Sequence, residues 1–171
     1  MNILITGAPG VGKTTLIQTL ISGCTTATGF YTREIREQNK RVGFAIETLC
    51  GKKGILAHID IQSPYMVSRY GVNLSHIDTI CVPSMDLSGY PIVIDEIGKM
   101  ELFSSRFRTQ VLRALDTHKV LATIMEHPHT FTDTVKSRTD TTIFRVTRQN
   151  RETVCDELKT SLFIERGGNV E

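Results

Sequence analysis

Gly7-Ala-Pro-Gly-Val-Gly-Lys-Thr14 follows the apolar run Ile3-Leu4-Ile5 and precedes a helical pattern. It matches G-x-x-x-x-G-K-[ST], a spacing suited to binding phosphate. The glycines let consecutive backbone N–H groups turn into one concavity, and the N-terminus of the following helix adds positive dipole character there. Lys13 is expected to reach the β- and γ-phosphates, and the Thr14 hydroxyl to complete the coordination of Mg²⁺. A nucleoside triphosphate is the ligand this pattern predicts.

A phosphate loop needs an acid that orients the metal shell, normally at the carboxyl end of a buried strand. Ile92-Val-Ile-Asp95 supplies it, and Glu96 follows immediately. Asp95 is expected to support Mg²⁺, and Glu96 to orient and partly deprotonate an attacking water. Around this pair, Gly98 permits a tight turn. Lys99 could face the phosphates or the solvent, and Glu101 reads as an acid at a helix N-terminus. Thr123, ending the next buried strand, reads as a satisfied strand threonine that could alternatively hold the water. Charge growing on the transferred phosphoryl group calls for an arginine. The candidates are Arg69, Arg138, Arg148 and Arg151.

These groups need elements to position them. Asn2–Thr6 reads as a strand, and about Lys13 to Ser22 as a helix with Leu16, Ile17, Leu20 and Ile21 on one stripe. Gly29–Arg36, Val42–Leu49 and Gly54–Asp60 read as strands. The short polar turns between them imply antiparallel hairpins. A loop containing Pro64 leads to Leu74–Leu87, read as a short helix with a strand piece near Ile80-Cys-Val82. Pro91–Asp95 and Val120–Met125 read as buried parallel strands. Between them Phe103, Phe107, Val111 and Leu115 recur at helical spacing. A short helix near Thr130–Ser137, a strand Thr142–Val146 and a helix near Arg151–Ile164 complete the pattern. The prediction is a three-layer α/β/α sandwich around a mostly parallel sheet with an antiparallel hairpin extension. One domain, residues 1–171, is expected.

Lys and Arg number 20 against 18 Asp and Glu, a formal charge of +2. That balance makes no electrostatic case for nucleic acid or a membrane surface. No segment has the length of a membrane span, and the first residues read as a core strand rather than a signal peptide. The scattered cysteines (Cys24, Cys50, Cys81, Cys155) suggest reduced thiols and a cytoplasmic location. His127-Pro-His129 lacks a helical metal spacing and reads as an exposed loop.

The chain resembles the THEP1-type nucleoside-triphosphatases, called cancer-related nucleoside-triphosphatases in animals. The resemblance is carried by Gly7–Thr15, Gly29-Phe-Tyr-Thr-Arg-Glu34, Arg41-Val-Gly-Phe44 with Thr48-Leu49, Tyr70-Gly-Val-Asn73, Val93–Phe103, Ala122-Thr-Ile124, Val146-Thr147 and Asn150-Arg151. It implies a P-loop fold and Mg²⁺-dependent hydrolysis of nucleoside 5′-triphosphates, with loose base selectivity (ATP, GTP, CTP, UTP) and slow turnover. By position, it implies nucleotide contacts at Gly7, Ala8, Pro9, Gly10, Val11, Gly12, Lys13, Thr14, Thr15, Asp95 and Glu96. Thr14 and Asp95 would serve the metal, and Lys13 and Glu96 the catalysis. The segment between Asn73 and Pro91 is shorter than the family pattern, which bears on base or lid contacts from there. Two other functions stay open: a P-loop kinase acting on a small-molecule or nucleotide acceptor, and a nucleotide-gated binding module.

Overall fold

The computed structural model describes residues 1–166. Nine strands form one sheet in the order β5-β6-β4-β3-β2-β7-β8-β1-β9. They are β1 (Asn2–Thr6), β2 (Thr28–Glu37), β3 (Lys40–Thr48), β4 (Lys53–His58), β5 (Met66–Val67), β6 (Tyr70–Val72), β7 (Ile92–Ile97), β8 (Val120–Ile124) and β9 (Thr141–Arg145). From β2 to β9 the neighbours run parallel, and from β2 to β5 they run antiparallel.

The parallel strands are the continuous apolar runs of the sequence. Ile3, Leu4 and Ile5 of β1, Ile92, Val93 and Ile94 of β7, and Val120, Leu121 and Ala122 of β8 are all buried. Both faces are covered, which makes this a three-layer sandwich. On one face α1 (Lys13–Ile21) packs Leu16 and Ile17 with Val154 and Leu158 of α6 (Arg151–Arg166) against Ile3, Ile5, Val93 and Leu121. On the other, α4 (Ser105–Leu115) buries Phe107, Val111, Ala114 and Leu115 beside Leu4, Phe30, Ile92 and Ile94. Side chains so enclosed contribute about 1.5–3 kcal/mol each relative to exposure.

Helix α4 starts later than its apolar spacing suggests. The Ser104 hydroxyl accepts a hydrogen bond from the Phe107 N–H at 3.0 Å and caps the helix. Phe103 therefore lies outside it, in a 3₁₀ turn (Glu101–Phe103), and its ring meets Tyr65 instead.

Two further expectations need correction. There is no strand at 80–82. Residues 74–84 are helical throughout, as α2 (Leu74–His76), a π turn (Ile77–Cys81) and α3 (Val82–Ser84). Asn73 caps the stretch by accepting from the His76 N–H, and Ile77, Ile80 and Cys81 turn into the core. The Pro64 loop in turn contains the small hairpin β5–β6, whose strands are too short to show a period. Finally, α5 (Thr130–Lys136) is capped by His129, whose Nδ1 accepts from the Phe131 N–H. Both His127 and His129 are exposed.

Candidate functional site

The phosphate loop joins β1 to α1 at the carboxyl end of the parallel strands, where open α/β sheets bind ligands. Gly12 precedes α1 with φ of 94°, a left-handed conformation that glycine adopts without a Cβ clash. A Cβ there would also lie 2.7 Å from Nη1 of Arg151. At Gly7 a Cβ would run into the Val146 carbonyl oxygen. The loop is thus packed directly beneath the β9–α6 connection. That connection is tied by reciprocal bonds, from the Thr147 N–H to Asn150 Oδ1 and from the Asn150 N–H to Thr147 Oγ1. Lys13 Nζ donates to the carbonyls of Gly7 at 2.7 Å and Ala8 at 3.1 Å, so its charge sits at the loop.

Asp95 and Glu96 face the same cleft, although successive strand residues normally point to opposite sides. The β7–β8 ladder pairs Ile94 with Ala122 and then Ile97 with Ile124. Two residues of β7 therefore oppose Thr123 alone, which is the arrangement of a β-bulge and re-aims the side chains. Asp95 is 3% exposed, and its Oδ2 accepts from Thr14 Oγ1 at 2.6 Å. Its Oδ1 accepts from Thr123 Oγ1. Burial pushes the Asp95 pKa up, while the hydrogen bonds from Thr123 and Thr14 and the charge of Lys13 oppose the rise. Thr123 is thus a satisfied strand threonine, and what it orients is Asp95. Glu96 is likewise raised, by burial first and then by Asp95, with Lys13 acting against both.

Thr14 and Asp95 offer one hydroxyl and one carboxylate oxygen side by side. Mg²⁺ commonly takes such a sparse set of hard oxygens and fills its shell with phosphate oxygens and water. Among the described residues no cluster of three His, Cys, Asp or Glu could hold a metal alone. The hydroxyl and carboxylate of the pair fit a Mg²⁺ that brings the rest of its shell with the nucleotide.

The cleft holds about 420 Å³. Pro9, Gly10, Gly12, Lys13, Thr14 and Thr15 line one side, Asp95, Glu96 and Thr123 the floor, and Thr32, Arg33, Glu34, Arg41 and Phe44 the other side. The arginines of that last wall come from the β2–β3 hairpin. Residues 28–31 of β2 pair with β7, and the rest of β2 runs on past it. Arg33 and Arg41 were absent from the arginines predicted from sequence. The signal available in the sequence was the tight polar turn Glu37-Gln-Asn-Lys40, flanked by Arg36 and Arg41.

Of the four arginines expected near the phosphates, Arg151 lies against the phosphate loop, while Arg138 and Arg69 are engaged elsewhere. Arg138 is bound to Asp140 at 2.7 Å and to Asp116 at 2.9 Å, before β9 and therefore at the opposite end of the sheet. Arg148 is exposed in the β9–α6 connection. Arg151 lies over Gly12. Arg69 donates to the Arg41 carbonyl at 2.6 Å and stands behind the cleft wall.

A second cavity of about 290 Å³ adjoins the cleft and shares Thr32, Phe44 and Glu96 with it. Lys99 lines this second cavity and not the phosphate cleft. Glu101 lines it as well. It does sit at the start of a helical turn, but one of three residues, and it is buried rather than solvated. Burial, with Glu96 nearby, pushes its pKa up to about 8. A Cβ on Gly98 would lie 3.1 Å from Glu101 Oε2 and 3.4 Å from Glu96 Cδ, so the bare glycine lets both acids approach.

A family model described as NTPase matches residues 2–159. The chain is 47% identical over 171 residues to "Nucleoside-triphosphatase THEP1" of Thermotoga sp. (strain RQ2), covering 98% of each chain. It is 36% identical to the "Cancer-related nucleoside-triphosphatase" of Homo sapiens, covering 93% of this chain and 95% of that one. Among solved structures, THEP1 from the hyperthermophile Aquifex aeolicus superimposes with a TM-score of 0.85 at 34% identity, over 95% of this chain and 99% of that one. The matches span nearly the whole chain, and the chain belongs to the NTPase family of THEP1 and the cancer-related nucleoside-triphosphatases.

Proposed function

We propose that this protein hydrolyses nucleoside 5′-triphosphates to diphosphate and phosphate, using Mg²⁺. The observation that carries the proposal is Glu96, a carboxylate aimed by the β7 bulge into the cleft that the phosphate loop walls. The loop amides and the N-terminus of α1 would hold the β- and γ-phosphates, with Lys13 turning from the loop carbonyls to their oxygens. Thr14 and Asp95 would hold the metal, which when bound neutralises charge on the β- and γ-oxygens. Glu96 accepts a hydrogen bond from the water and takes its proton as the oxygen attacks the γ-phosphorus. The bond to the β–γ bridging oxygen breaks, and the diphosphate leaves with its electron pair. Lys13 opposes the rise that burial and the Asp95 charge impose on the Glu96 pKa.

The groups placed at the cleft address phosphate, metal and water. This supports broad base tolerance over ATP, GTP, CTP and UTP; slow turnover belongs to the same reading. Four free thiols and the lack, among the described residues, of a helix long and apolar enough to cross a membrane support a cytoplasmic site of action for a one-domain enzyme.

A second reading, phosphoryl transfer to a small molecule, is favoured by the cavity that meets the cleft at Glu96. Purified protein incubated with Mg²⁺ and each triphosphate, with no acceptor present, separates the two. Hydrolysis predicts stoichiometric diphosphate and free phosphate from all four. No phosphate above background would overturn it in favour of transfer.

A further inference from the structure

The antiparallel half of the sheet carries a cation to the cleft and holds it there. Arg41 stands near the start of β3, on the part of the hairpin that overhangs β7, and lines the same cleft as Lys13, Thr14, Asp95 and Glu96. Its side chain is fixed from three directions. Nη1 meets Glu34 Oε1 at 2.9 Å, Nε donates to the Tyr70 hydroxyl at 3.1 Å, and the guanidinium carbon lies 5.1 Å from the centre of the Phe44 ring. The Tyr70 hydroxyl is itself braced by Arg69 Nη2 at 3.4 Å. Among the described residues, Nη2 of Arg41 makes no hydrogen bond.

The local charge is not cancelled by these contacts. Glu34 is shared between Arg41 and Arg36, whose Nη2 lies 2.6 Å from it, so one acid faces two guanidinium groups. Arg33, the other arginine of the cleft wall, is also held, its Nε 3.1 Å from Glu47 and its guanidinium carbon 5.4 Å from the centre of the Tyr31 ring, but among the described residues it has Glu47 to itself. Arg41 is held as firmly and keeps more of its charge uncompensated, since it shares its acid with Arg36. A planar guanidinium held by its Nε edge and by stacking has less freedom to lose when it binds an oxyanion.

We propose that Arg41 is the catalytic arginine of this site and donates to the γ-phosphoryl oxygens in the transition state. The proposal rests on the hydrolytic reading above. As water oxygen bonds to the γ-phosphorus and the bond to the bridging oxygen breaks, charge is spread over the equatorial and leaving oxygens. A donor already oriented there stabilises that charge without reorganising. An arginine placed in cis in this way needs no partner protein.

The test compares Arg41→Ala, Arg41→Lys and the wild type in two assays. One measures phosphate release from Mg·ATP. The other measures binding of Mg·ADP with and without aluminium fluoride, beside binding of a non-hydrolysable ATP analogue. Arg41→Ala is expected to lose about 10²–10³-fold in kcat and the tightening by aluminium fluoride, while the analogue binds within about threefold of wild type. Added guanidinium chloride, at millimolar concentration, should restore part of the lost kcat. Arg41→Lys, which keeps the charge and the stem over Phe44, should fall between the other two and covers the case in which the alanine variant does not fold. Undiminished tightening by aluminium fluoride in either variant overturns the assignment, as does an equal loss of analogue and transition-state binding. Absence of phosphate release by the wild type would instead sink the hydrolytic reading itself, so the two failures are distinguishable.

Discussion

The two halves of the sheet are built for different tasks. The parallel half, from β7 to β9, is covered by helices on both faces, and its inner strands β7, β8 and β1 bury long apolar runs. It holds the phosphate loop and the paired acids rigidly at one end. The antiparallel half reaches past that end and is more open to solvent, with Ile55, Ile59 and Met66 exposed. It brings Thr32, Arg33, Glu34, Arg41 and Phe44 over the loop. In this account the first half binds the triphosphate through Lys13 and its loop and readies the water through Glu96, and the second adds a donor for the transition state. Groups that bind and groups that act only on the transition state are separable in principle, since only the latter change kcat alone.

Changes in the parallel half should break the site most completely. Lys13→Ala removes the one loop cation, and we expect it to weaken triphosphate binding about tenfold or more and turnover by at least 10²-fold. Equilibrium binding of a fluorescent triphosphate analogue checks this against Arg41→Ala, which should spare binding. If the two variants lose affinity alike, the division of labour between the halves does not hold.

A smaller effect is expected at the seam, where Glu101 sits beside Glu96. A carboxyl whose pKa is about 8 when folded and near 4.5 when unfolded keeps its proton better in the native state. Stability then falls as pH rises from about 4.5 to 8, because the unfolded chain gains by ionising first. Glu101→Gln cannot ionise, so it should melt about 2–5 °C above wild type at pH 7.5 and level with it at pH 4. Thermal melts at the two pH values decide it, and an equal gap at both would refute the buried-acid assignment.

How much of this was legible in the sequence follows from how local each signal is. The phosphate loop and the run Ile92–Asp95 each carry their chemistry within a few residues, and the structure brings them together as expected. Helix α4 was legible from its spacing, but its start was set by the Ser104 cap, which displaced Phe103. Residues 80–82 are β-branched and apolar enough to suggest a strand. The Asn73 cap and burial of Ile77, Ile80 and Cys81 decided for helix. Arg41 was not legible as a site residue, because its position depends on pairing across β2, β3 and β7 and on how far β2 overruns its parallel neighbour. Arg138 was misjudged for the converse reason: its place after α5 gave no hint that Asp116 and Asp140 hold it at the far end of the sheet. Nor does the sequence reveal the bulge that turns Glu96 into the cleft.

That bulged glutamate is where the account is most exposed. The direct measurement is single-turnover hydrolysis by Glu96→Gln, with Mg·ATP affinity determined on the same preparation. The account predicts affinity within about threefold of wild type and a rate lowered by about 10²-fold or more. A variant that binds normally and hydrolyses at close to the wild-type rate would contradict it.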